Sequence, residues 1–136
     1  MFISIILAST TKLGMNEYNY LKAEIIIFSY LSTMTDNWNK ARKKCQERGN
    51  GELAVVTDIQ TMHFIRENFN LNTGSAWIGG EKLLGKWSWA DGTKWNYTNW
   101  GIGQPNNQND GIMVENNDNM WHSYPKISPL KYICQF

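Results

Sequence analysis

The spacing of apolar residues changes along the chain, and each change marks an element. Over 23–32 the run AEIIIFSYLS is β-branched and aromatic, which predicts a strand. From Thr35 the apolar residues fall on one face of a helix. Trp38, Ala41 and Cys45 stand at i, i+3 and i+7, Thr35 offers a capping hydroxyl, and Gly49 stops the run. Cys45 is thereby placed on the buried side of that helix. Leu53-Ala54-Val55-Val56 predicts a short buried strand. Thr57-Asp58-Ile59-Gln60 then has the form of a capping box and opens a second helix through Ile59, Met62, Ile65 and Phe69. His63 lies on that helix without a partner at i+4, and reads as structural rather than as a ligand.

Beyond Asn72 the helical period ends. Ala76-Trp77-Ile78-Gly79-Gly80, Trp87-Ser88-Trp89, Ala90-Asp91-Gly92 and Lys94-Trp95 predict strand, strand and tight turn, with Asp-Gly supplying the positive φ angles of the turn. Residues 99–109 are rich in Gly and Asn and carry no period. A loop of that length in a compact chain tends to be functional or disordered. Met113-Val114-Glu115, Asn119-Met120-Trp121 and 131–136 predict the closing strands. Helices come first, strands later, and there is no internal repeat.

Composition narrows the classes. The chain has 136 residues, enough for one domain with one core. It is 42% hydrophobic and 18% charged, with seven Trp, six Tyr and five Phe, a globular composition whose apolar area is concentrated in few side chains. Net charge is +1 and the longest basic run, Arg42-Lys43-Lys44, reads as a solvated helix face, so nucleic-acid and anionic-membrane partners are not expected. No stretch approaches the roughly 18 apolar residues of a membrane span. Phe2 to Ala8 is a short apolar run followed by Ser9-Thr10, with no Lys or Arg before it. It reads as a weak signal-like segment, and Met15 is a second candidate initiator.

Two cysteines, Cys45 and Cys134, allow buried thiols, a partial metal site or a disulfide. Neither has His or Cys companions at ligand spacing, so a disulfide is favoured, which implies an oxidising compartment. Closing so long a loop restricts the unfolded chain by about 4.5 kcal/mol. No enzyme is expected. Gly101-x-Gly103 lacks the third glycine and following helix of a phosphate loop, and no Ser/His/Asp set sits on a recognisable elbow.

Trp38-x2-Ala41-x3-Cys45, Leu53-Ala54-x-Val56, Trp77-Ile78-Gly79-Gly80, Trp87-x-Trp89-x-Asp91-Gly92, Asn99-Trp100, Gln104-Pro105-Asn106 and Tyr132-Ile133-Cys134 resemble, in order and spacing, the C-type lectin-like domain. Tyr30-Leu31-Ser32 fits its opening strand. The resemblance covers 28–136 and leaves 1–27 as an N-terminal extension, a weak signal or a misassigned start. It implies an α+β, C-type lectin-like fold: two helices flanking small antiparallel sheets, with a long loop region. It also implies a bridge between Cys45 and Cys134.

In that family a calcium ion holds the sugar. Its ligands are a Glu-Pro-Asn or Gln-Pro-Asp loop motif, a following acidic residue and the Asn-Asp of a Trp-Asn-Asp triplet. Carried over position by position, the resemblance implies vestigial calcium positions at Gln104, Asn106, Asn109, His122 and Ser123, with Asp110 beside Asn109. Pro105 stands where the family has a cis proline that turns the flanking side chains to one side. Gln104 and Asn106 are both neutral and the triplet has become Trp121-His122-Ser123, so the three carboxylates of a family site are reduced to none, or to one where Asp110 turns inward. A hard cation takes several oxygens, with carboxylates contributing much of the affinity, and imidazole suits zinc and transition metals. Calcium binding is therefore expected to be weak or absent. The family's inner disulfide falls near Gly111 and Lys126, and both of its cysteines are missing together, leaving no unpaired thiol.

The resemblance implies a secreted, extracellular carbohydrate-binding module in which Gln104, Asn106, Asn109, Asp110, His122 and Ser123 meet sugar hydroxyls. Trp100 and Trp121 either stack on a pyranose ring or pack in the core. The alternative is a calcium-independent protein-interaction module of the same fold. Asn96-Tyr97-Thr98 is the one glycosylation sequon, with Asn96 as acceptor.

Overall fold

The computed structural model describes residues 29–136. The segment 1–27 and the start of the strand predicted at 23–32 lie outside the described residues. The order of elements is β1 (Ser29–Leu31), α1 (Trp38–Glu47), β2 (Glu52–Leu53), α2 (Ile59–Asn68), a 3-10 turn (Leu71–Thr73), β3 (Ala76–Leu83), β4 (Lys86–Trp89), β5 (Gly111–Val114), β6 (Trp121–Tyr124) and β7 (Lys131–Gln135). The strands run β1-β7-β3-β5-β6, with β2 also on β7 and β4 also on β3. Pairing is antiparallel except between β3 and β7, which are parallel at Ala76 to Lys131 and Trp77 to Tyr132. This is the α+β, C-type lectin-like architecture, and β6 ends the strand order.

Two buried clusters fill it. One gathers Trp38, Ala41 and Cys45 of α1 with Leu53, Trp77, Tyr132 and Cys134. The other packs Met62 and Ile65 of α2 against Ile78, Trp89, Ile112, Val114, Trp121 and Ile133. Cys45 and Cys134 are bonded, with Cα atoms 5.4 Å apart and both side chains buried. Of the three roles open to the pair, the bridge is the one realised. The Trp77-Ile78-Gly79-Gly80 motif has a packing reason: a Cβ on Gly79 would lie 2.8 Å from the Leu53 carbonyl oxygen, so only glycine lets β3 approach β2 this closely.

Local expectations shift at the helix caps, at the hairpin turn and in the basic run. Asn37, not Thr35, caps α1, its Oδ1 accepting from the Lys40 N–H at 2.9 Å, since Asn is the better cap and adjoins the first helical residue. Asp58, not Thr57, caps α2, accepting from Thr61, and this leaves Ile59 40% exposed on the first turn. The β3–β4 turn is Leu84-Gly85, both at positive φ, while Asp91-Gly92 turns the chain after β4 with no strand beyond it. Arg42 is not a solvated member of a basic face. Its Nε and Nη2 donate to the Glu52 carboxylate at 3.0–3.1 Å, and Nη2 also donates to the Ala90 carbonyl at 2.9 Å. Lys44 pairs with Asp36 at 2.6 Å.

Candidate functional site

The loop 101–109 runs along β6. Backbone bonds start it: Trp121 N–H donates to Asn99 O at 2.8 Å and Gly101 N–H donates to Trp121 O at 2.9 Å. The Gln104–Pro105 peptide is cis. Three of the loop's polar residues then converge on one buried residue, Ser123. Gln104 Oε1 accepts from the Ser123 N–H at 3.1 Å, and Asn109 Nδ2 donates to Ser123 O at 3.0 Å. The Asn106 N–H donates to Ser123 Oγ at 2.7 Å. The Ser123 hydroxyl proton has two acceptors in reach, Asn106 O at 3.1 Å and Gln104 Oε1 at 3.2 Å. Asn106 Oδ1 accepts from the Gln108 N–H at 3.0 Å. Among the described residues, Gln104 Nε2, Asn106 Nδ2 and Asn109 Oδ1 have no intramolecular partner, and all three residues are at least partly exposed.

The charged neighbours are engaged elsewhere. Asp110 Oδ1 accepts from the Lys126 N–H at 2.9 Å. Lys126 extends its side chain beside Gly111, where an added Cβ would lie 2.9 Å from Lys126 Cγ, so the two positions face each other. Its ammonium lies 2.9 Å from Glu81 Oε1 and 4.1 Å above the Trp38 ring. His122 Nε2 is 2.8 Å from Asp118 Oδ2. Partial burial pushes the Asp118 carboxyl up, but its bonds to His122 and the Met120 N–H outweigh this and hold it below its ordinary value.

Glu115, Asp118 and His122 bring ligand atoms within 4.8 Å of one another. Both carboxylates already serve the β5–β6 turn, Glu115 accepting from the Asn117 N–H at 2.7 Å and Asp118 from the Met120 N–H at 2.8 Å. At the vestigial positions the donor set does not fit calcium. Gln104 Oε1 faces Ser123, Asn109 presents its NH2 inward, and no carboxylate joins them. A hard dication with six to eight oxygen ligands finds no charge there to offset its dehydration.

Of the residues named from the sequence, Gln104, Asn106, Asn109 and Ser123 come together. Asp110 faces Lys126, and His122 faces Asp118. Trp121 is fully buried, donating from Nε1 towards Met62 Sδ at 3.3 Å, so it has no face for a sugar ring. Trp100 is half-buried between Trp87 and Trp121, at centroid distances of 5.0 and 5.8 Å. His63 is exposed on α2, and Asn96 is exposed on the segment after β4. Sequence reasoning missed the Lys126 to Glu81 pair, whose members lie 45 residues apart. The only hint was a lysine and a glycine standing where two cysteines were missing.

A family model described as the lectin C-type domain matches residues 34–136. A C-type lectin, lectoxin-Lio3 of Erythrolamprus poecilogyrus, is 39% identical over 82 residues, covering 57% of this chain and 51% of that protein. A type-2 ice-structuring protein of Hemitripterus americanus is 30% identical over 110 residues, covering 77% of this chain and 65% of that protein. The chain thus spans less than two thirds of the length of these curated relatives. The structure of a calcium-independent type II antifreeze protein superimposes with a TM-score of 0.72 at 27% identity, covering 80% of this chain and 85% of that one. Among the described residues no helix is long and apolar enough to cross a membrane.

Proposed function

The chain belongs to the C-type lectin domain family, and on that premise we propose a secreted carbohydrate-binding module, with its domain over 28–136, that recognises sugar hydroxyls directly and without calcium. One observation carries the reading. Gln104, Asn106 and Asn109 are held side by side by Ser123, each with an amide group left over at the surface. Neutral amides exchange hydrogen bonds with hydroxyls at about 0.5–1.5 kcal/mol each, so a few of them support affinity in about the millimolar range. A fold relative that is described as calcium-independent supports the premise that this architecture stands without the ion. Asp110 and His122, chain neighbours of Asn109 and Ser123, are included in the proposed site, and the buried Ser123 serves it as the anchor of the amides. No step of covalent chemistry is assigned to it.

Two measurements test the reading. Calcium titration is expected to give no micromolar affinity, and a glycan array in chelator is expected to give binding that is lost in Asn106→Ala. Micromolar calcium affinity abolished by Gln104→Ala overturns the calcium-independent part. The second reading, a protein-interaction module, draws on Ile102, fully exposed in the loop between two glycines. It takes precedence if no sugar binds in either calcium or chelator. Because some relatives are ice-structuring proteins, an ice-affinity assay belongs beside the array.

Secretion carries a prediction of its own. Asn96 and Thr98 are both exposed, so expression through a secretory pathway is expected to add a glycan at Asn96, seen as a mass shift that Asn96→Gln removes.

A further inference from the structure

The edge of a sheet presents unpaired N–H and C=O groups that a neighbouring chain segment normally covers. β6 is such an edge, because the strand order ends there. Along it the loop first pairs backbone to backbone, at Asn99, Gly101 and Trp121. At Ser123 the pairing changes kind. The Ser123 N–H is met by the Gln104 side-chain carbonyl, and the Ser123 C=O is met by the Asn109 side-chain NH2. Two amide side chains supply the acceptor and the donor that a peptide of an adjacent strand would supply. The Ser123 hydroxyl, itself buried, ties the Asn106 backbone to the same point.

We infer that Gln104 and Asn109 are positioning residues that complete the open edge of β6 through Ser123, so that the loop is ordered by the protein's own hydrogen bonds before any ligand arrives. This explains why position 109 is an amide. A carboxylate there would turn oxygen towards the Ser123 carbonyl oxygen, whereas the amide donates. Position 104 is under a weaker demand, because either an amide or a carboxylate offers an acceptor to the Ser123 N–H. The inference concerns the loop's order and holds whether the ligand is a sugar or a protein.

Amide hydrogen exchange on the full chain, in chelator and without sugar, tests it. The Asn106 and Ser123 N–H groups are expected to be protected, and added calcium is expected to leave them unchanged. Asn109→Asp is expected to speed their exchange by roughly fivefold or more, the equivalent of at least one lost hydrogen bond of average worth. Gln104→Glu is expected to change it by less than about threefold, and Ser123→Ala to release Asn106, while β1 and β7 amides stay as in the wild type. Unprotected Asn106 and Ser123 amides in chelator that become protected on adding calcium would overturn the inference. So would an Asn109→Asp variant that exchanges no faster. Neither outcome depends on sugar binding, so the glycan array fails or succeeds separately.

Discussion

Around Cys45 and Cys134 the chain is tied by a covalent bond between buried sulfurs, with Trp38, Trp77 and Tyr132 packed over it. Around the loop 101–109 the ties are hydrogen bonds to Ser123 and the ion pair between Lys126 and Glu81. The two regions differ in what they demand of the native geometry. A disulfide acts mainly by restricting the unfolded chain, and keeps acting when the packing around it loosens. Hydrogen bonds and buried ion pairs stabilise only while donor and acceptor stay aligned, so the loop region opens at lower cost than the stapled one. The proposed binding surface lies on the side with the weaker ties, its amides held in place by Ser123.

The strongest way to break the comparison is to remove its covalent member. Cys45→Ser with Cys134→Ser is expected to destabilise the domain by about 4 kcal/mol in denaturant unfolding. Labelling of the unreduced wild type should find no free thiol. If the double variant loses less than about 1 kcal/mol, the stapled region owes its order to packing alone.

Next in size is the ion pair. Lys126 and Glu81 keep only 16% and 9% of their side chains exposed. Lys126→Met leaves the Glu81 carboxylate buried without its partner, with an expected loss of about 3 kcal/mol. Adding Glu81→Gln removes the stranded charge, and the double variant is expected to recover more than half of that loss in a double-mutant cycle. A purely additive cycle would show that the ammonium matters for its stem against Gly111 and Trp38 and not for its charge. Gly111 and Lys126 face each other, so Gly111→Cys with Lys126→Cys, combined with Glu81→Gln so that no buried charge is stranded, is expected to form a second bridge, detected by mass, once the Trp77 ring shifts to admit the new Cβ at 111.

How much of this was legible differs between the regions for the same physical reason. The stapled side is written in local periodicity: Trp38, Ala41 and Cys45 recur at helical spacing because one face is buried, and with two cysteines in the chain the count already favoured Cys134 as the partner of Cys45, which the resemblance also implied. Caps slipped by one or two residues, since Thr35 and Asn37 are both competent and the apolar pattern does not choose between them. The β3–β4 turn was hidden because Leu84 adopts a φ of 48° with no side-chain signal for it. On the loop side the amides themselves were legible, but their function was not. That Ser123 needs a donor and an acceptor depends on β6 lying at the end of the sheet, which no single stretch of sequence encodes. Trp121 shows the same limit: the sequence left core packing and sugar stacking both open, and the packing of Met62, Trp89 and Trp95 against it settles that it is core.

The smallest expected effect separates the loop bonds from the charges around them. Asp118 is held below its ordinary value of 3.8 by His122 and the Met120 N–H, against the upward push of burial. A carboxyl lowered on folding contributes stability that is complete above its unfolded value and is lost as pH falls through its folded one. From neutrality down to about pH 5 Asp118 therefore contributes a constant amount, and its share disappears only as pH drops below about 4. The pair is partly solvent-exposed, with 22% and 39% of its side chains accessible, so the share is about 0.5 kcal/mol and screened by salt. Asp118→Asn is expected to cost that amount at pH 6 in low salt and less at pH 3. Exchange at Asn106 and Ser123 is expected to be the same in variant and wild type at both pH values, because none of the bonds to Ser123 involves an ionisable group. If Asp118→Asn instead speeds exchange at Asn106 at pH 6, the His122 to Asp118 pair belongs to the loop's support, and the hydrogen bonds on Ser123 are not sufficient to set it.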